Sequence, residues 1–73
     1  MEFKYQSLKN LTEKLLRGRK GITRDAVESL DKELVRHAEV VLNISVEEAD
    51  YANRKRITGK HVERAIAILQ RGR

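Results

Sequence analysis

The chain has 73 residues, with 16 Lys and Arg against 11 Asp and Glu for a net charge of +5. That length makes one small domain, residues 1–73, below the size at which a single core is comfortably stable. The absence of Cys rules out disulfides and thiolate metal sites as reinforcement. With no Pro and only 4 Gly, the composition indicates helices joined by short connections, and pairing with another chain as the way to bury enough surface.

Residues 1–6 carry no periodic signal, and Phe3 and Tyr5 either pack on a neighbouring helix or fray. From Ser7 a short helix is expected, with Leu8, Leu11, Leu15 and Leu16 on one side. It should stop at Arg17-Gly18, where Gly suits a helix C-cap. Being so short, it needs the rest of the chain to pack on.

Arg17 to Gly21 reads Arg-Gly-Arg-Lys-Gly, a loop of cations without an acid, followed by Ile22 as an apolar anchor. Thr23 is a good N-cap for the next helix, and Asp25 in the first turn faces the positive end of its dipole. Arg24 sits in the same turn, where a cation is unfavourable unless an anion comes to it.

The stretch from Thr23 to about Ala52 has neither Pro nor Gly. Its apolar and small residues recur at Val27, Leu30, Leu34, Ala38, Val41, Ser45, Ala49 and Ala52, the spacing of one helix face. Val35, Leu42 and Val46 widen that stripe. At 1.5 Å per residue such a helix is roughly 45 Å long. A chain this small cannot wrap so long a rod, so another chain is expected to cover much of its apolar face.

The body of this helix is acidic, and it should end at Asn53. Arg54-Lys55-Arg56 then forms a second basic loop, with Ile57 as its anchor and Thr58 capping a third helix. Val62, Ala65, Ile66 and Leu69 make that helix's apolar face, while Lys60 and His61 occupy its first turn. A basic tail, Gln70 to Arg73, closes the chain.

If two copies cross their long helices antiparallel, the start of one helix lies near the end of the other. Arg17, Arg19, Lys20 and Arg24 of one chain then stand beside Arg54, Lys55, Arg56 and Lys60 of its partner. Half of the 16 Lys and Arg residues gather in this way at the ends of the dimer. Ile22 and Ile57 can pair the loops as short extended segments. Cationic loops beside helix N-termini, with Thr23 and Thr58 at the caps, are a phosphate-binding arrangement. Two such ends suit duplex DNA held by its backbone.

These residues resemble the histone fold, and most closely the small single-domain histones of archaea and other prokaryotes. The resemblance runs from Ile22 to Ile66. It is carried by Ile22-Thr-Arg-Asp-Ala, by Ala49-Asp-Tyr-Ala-Asn-Arg-Lys, by Ile57-Thr and by Val62-Glu-Arg-Ala-Ile. It implies an all-α fold of short helix, long central helix and short helix, a handshake homodimer, and DNA bent around paired loops and helix ends. Tetramers or larger assemblies would form through the end of the central helix, at a surface including Glu48, Tyr51 and His61. The chain departs from the family pattern at three positions. His61 replaces the Asp that usually clamps Arg54, Arg56 replaces a Thr, and Gly21 stands where a first-loop Arg is usual.

Other chemistry finds little support. His37 and His61 have no Cys beside them, and Glu33 with His37 offers two ligands, too few for a closed zinc site. Ser7, Ser29 and Ser45 lack a nearby base for nucleophilic catalysis. No cofactor, metal, small-molecule substrate or membrane partner is expected, and the chain does not read as an enzyme. The expected place is the cytoplasm, on the chromosome. An alternative keeps the fold but makes another protein the main target, in a transcription- or centromere-type assembly. A dimer reading one DNA sequence is weaker, since no short recognition helix follows a tight turn.

Overall fold

The computed structural model describes residues 1–72, and Arg73 of the expected basic tail lies outside them. Among the described residues the chain is all-helical, with α1 (Tyr5–Leu16), α2 (Arg24–Tyr51) and α3 (Gly59–Gln70). It divides into two compact units, Met1–Arg36 and the part from His37 onward, with α2 contributing to both. No described helix is long and apolar enough to cross a membrane.

In the first unit α1 begins at Tyr5, two residues ahead of the expected start, and the N–H of Leu8 reaches back to the carbonyl of Lys4. Its covered row is Leu8 and Thr12, one turn apart. The Thr12 hydroxyl is satisfied by donating to the Lys9 carbonyl at 2.7 Å. The expected row of leucines is only partly covered, because Leu11 and Leu15 face outward in the single chain. On α2 the buried positions are Val27 and Asp31, again one turn apart. Asp31 accepts hydrogen bonds from the backbone N–H of Phe3 at 2.7 Å and of Glu2 at 3.1 Å. Residues 1–4, which showed no pattern in the sequence, are thereby tied to α2. Helix α1 ends where Arg17 and Gly18 turn to positive φ, at 54° and 76°. The Gly at this stop was legible in advance.

In the second unit Val41, Ile44 and Ala65 form the core, and Val62, Ile68 and Leu69 pack against it. Val41, Ser45 and Ala49 make one buried row on α2 with a four-residue step, and two of the three are small. The Ser45 hydroxyl donates to the Val41 carbonyl at 2.7 Å, so it needs no outside partner. Helix α2 stops at a Schellman motif, in which Arg54 N–H donates to the Ala49 carbonyl and Asn53 N–H to that of Asp50. Asn53 takes the left-handed conformation this requires, with φ 55°. Gln70 belongs to α3 rather than to the tail, and the N–H groups of Arg71 and Gly72 still bond to carbonyls of its last turn.

Candidate nucleic-acid interface

The first basic loop belongs to the first unit. Arg17, Arg19 and Lys20 are all exposed. Part of Arg19's donor capacity is spent locally, since its Nε bonds to the Leu16 carbonyl at 2.9 Å and its Nη2 to that of Leu15 at 3.3 Å. A cation at the last carbonyls of a helix is favourable both as a donor and against the dipole.

Thr23 stands at the N-cap, where its carbonyl accepts the first bond of α2 from Val27 N–H. Its side chain does not take the expected part. The hydroxyl donates to Asp25 Oδ1 at 2.6 Å instead of accepting from the helix. That hydrogen bond holds the Asp25 carboxyl below the usual carboxylate range, helped by the N–H groups of Asp25 and Ala26 and opposed by some desolvation. Asp25 therefore occupies the open end of α2. Arg24, beside it, lies over the ring of Tyr5 and has Glu28 within 3.6 Å.

The second basic loop belongs to the second unit. Arg54, Lys55, Arg56, Thr58 and Lys60 line a groove of about 810 Å³, together with Ala52, His61 and Arg64. Among the described residues Arg54, Lys55, Arg56 and Lys60 form no ion pair, whereas Arg24, Arg36 and Arg64 each have a carboxylate. The first turn of α3 contains no acidic residue. Asp50 lines an adjoining hollow with Arg54 and Lys55 without pairing with either. The groove is thus a concave positive surface at a helix start.

At the α3 cap the Thr58 N–H donates to His61 Nδ1 at 2.9 Å, closing a capping box with His61 in the place of the usual Glu or Gln. The ring is buried. Arg64 escaped the sequence reading, although it lies one turn beyond Lys60 on the same helix face, which was the available signal. Its Nε donates to Glu48 Oε1 at 2.7 Å, linking α3 to α2. Tyr5 was likewise left undecided, and no local pattern connects it with Arg24.

Glu33 is engaged by Arg36 at 2.9 Å, and the hydrogen bond it accepts, followed by its charge, holds that guanidinium's pKa above the usual value. No group of three or more His, Cys, Asp or Glu among the described residues is placed to hold a metal ion. Comparison of the chain with protein-family models, curated proteins and solved structures finds no match.

Proposed function

We propose that this chain is a histone-fold protein that pairs with a second copy and binds duplex DNA through its phosphates, with little sequence preference. The observation that carries the reading is the second loop. Its three cations and Lys60 of α3, unpaired among the described residues, line one groove at the start of α3, while Arg36 and Arg64 of the helix bodies are paired. Cations without carboxylates are free to replace the counterions of a phosphate backbone. A groove lined largely by Arg and Lys side chains suits a long polyanion better than a small neutral ligand. The site of action that follows is the chromosome, in the cytoplasm.

Pairing is supported by apolar surface left open in the single chain. Leu11, Leu15, Leu30 and Leu34 are exposed in the first unit, and Leu42, Val46, Ile57 and Ile66 in the second. Each is 39–62% exposed, so covering what remains is worth on the order of 1 kcal/mol per side chain. An antiparallel partner would cover the α2 positions and bring its second loop beside the first loop of this chain. A protein target in place of DNA is the second reading, favoured by Tyr51, which is 90% exposed at the end of α2. The same surface serves dimer–dimer contact in the DNA reading.

The deciding experiment measures affinity for unrelated duplexes of several lengths across a salt series. Binding should be nearly equal across sequences and fall with salt at a log–log slope of about −0.9 per phosphate neutralised. Lys55→Ala with Arg56→Ala should weaken binding on every sequence and flatten the slope, with the helical signal unchanged. A double variant that binds as tightly as the parent, with the same slope, removes the second loop from the interface and gives the protein-target reading the lead.

A further inference from the structure

Arg24 is the first residue of α2, where the helix dipole disfavours a cation. Two contacts nevertheless hold its side chain. The guanidinium carbon lies 4.2 Å from the centroid of the Tyr5 ring, and Nε lies 3.6 Å from Glu28 Oε2. The second distance is an ion pair without a hydrogen bond. The guanidinium thus lies over the ring, with Glu28 on its Nε side. The two η nitrogens meet no acceptor among the described residues, and they form the edge with which arginine grips a phosphate.

The start of α2 already carries the Asp25 carboxylate, which accepts from the Thr23 hydroxyl at 2.6 Å. An arriving anion is repelled by that charge and is better met by the Arg24 side chain than by the backbone of the same turn. Tyr5 is itself held. Asp31, 3% exposed, fixes the Glu2 and Phe3 N–H groups just ahead of α1, and Tyr5 is the first residue of that helix. Arg24 and Asp31 are seven residues apart on α2 and so share a face, which lets one helix both receive the ring and anchor the segment leading to it.

We propose that Tyr5 is a positioning residue for Arg24, its ring holding the guanidinium with the η edge presented to a DNA phosphate. The proposal rests on the DNA-binding reading above. It adds a role for α1 that the basic loops alone do not supply. A ring that restricts the guanidinium lowers the ordering cost of each phosphate contact.

The test compares full-length variants on one random-sequence duplex over a salt series. Tyr5→Phe keeps the ring and should bind as the parent does. Tyr5→Leu should weaken binding by about two- to five-fold, the range of an exposed cation–π contact, with the salt slope unchanged because the charge remains. Arg24→Gln should weaken binding and reduce the slope by about 0.9, one phosphate. In the Arg24→Gln background, adding Tyr5→Leu should cost nothing further. Tyr5→Gln makes the same comparison if Tyr5→Leu loses its helical signal. If Arg24→Gln weakens binding while both ring-free variants match the parent, Tyr5 has no positioning role. Equal losses from Tyr5→Leu with and without Arg24 overturn it too, since the ring would then act elsewhere. A parent that binds no duplex, or an Arg24→Gln chain as tight as the parent, removes Arg24 from the interface and ends the proposal with it.

Discussion

The Thr58 N–H donates to Nδ1 of His61 at 2.9 Å. As an acceptor, Nδ1 carries no proton, which places the ring proton on Nε2. On the proposed histone-fold reading, the Asp usual at this position would clamp Arg54. His61 closes the α3 cap instead, and Arg54 lines the groove without an ion pair. His61→Ala should lower stability by about 1 kcal/mol for the lost cap, plus the lost burial. His61→Asp keeps an acceptor, puts a negative charge at the helix start and gives Arg54 a partner. We expect the Asp variant to melt no lower than the parent and to bind DNA more weakly, as thermal unfolding and a binding titration would read out. Unweakened binding would mean that Arg54 is not drawn out of the groove.

Arg64 lines the same groove but is committed to Glu48, whose side chain is only 13% exposed. Removing the guanidinium leaves a mostly covered carboxylate without its charged donor. Arg64→Ala should therefore cost about 1.5–3 kcal/mol in urea unfolding. Because its charge is already balanced, the same variant should leave the DNA salt slope close to that of the parent. Lys55→Ala and Arg56→Ala are expected to do the reverse, sparing stability and flattening the slope.

The three helices and their stops were legible because each signal is local: the stripe on α2, Gly18 after α1, Asn53 after α2 and Thr58 before α3. What escaped depends on partners distant in sequence. Asp31 looked like one more acid of a solvated helix body, yet it is buried, since its partners are backbone N–H groups 28 and 29 residues away. Thr12 is buried while Leu11 and Leu15 are exposed, because periodicity marks an apolar strip without saying which edge the same chain covers. The cations of both loops were visible as residue types. That Arg19 is partly spent on carbonyls while the second-loop cations stay unpaired is a matter of side-chain geometry.

Asp25 ties stability to acid pH. Its carboxyl is held below the usual value by the Thr23 hydroxyl and by backbone N–H groups, so at acid pH the unfolded chain binds the more protons. Its stabilising contribution is present above the unfolded value of about pH 4 and is lost as pH falls through the folded one. Asp25→Asn should be less stable than the parent at neutral pH and should flatten this part of the acid limb. Thermal melts from about pH 6 down to about pH 2 would show the two curves converging. Parallel curves would mean that Asp25 does not titrate differently in the fold.

Leu34 and Val41 separate the fold of one chain from the pairing of two. Val41 is 7% exposed within the chain and belongs to the core of the second unit, whereas Leu34 is 40% exposed. Val41→Asp should unfold the protein whether or not it pairs, since an unpaired charge in the core costs several kcal/mol. Leu34→Asp has a large effect only if a partner covers that face. In a monomer it is a change at a half-open position, costing within about 0.5–1 kcal/mol. In a dimer it places a carboxylate in the interface, and where α2 crosses its own copy antiparallel near the midpoint, two such charges approach each other. The expected result is a parent that sediments as a dimer, with a melting temperature that rises with concentration. Leu34→Asp should be monomeric or unfolded at the same concentration. A Leu34→Asp chain that keeps the parent's mass and melting temperature would show that this part of α2 is not the paired face, and the apolar residues left open on α1 and α3 would be the next place to look.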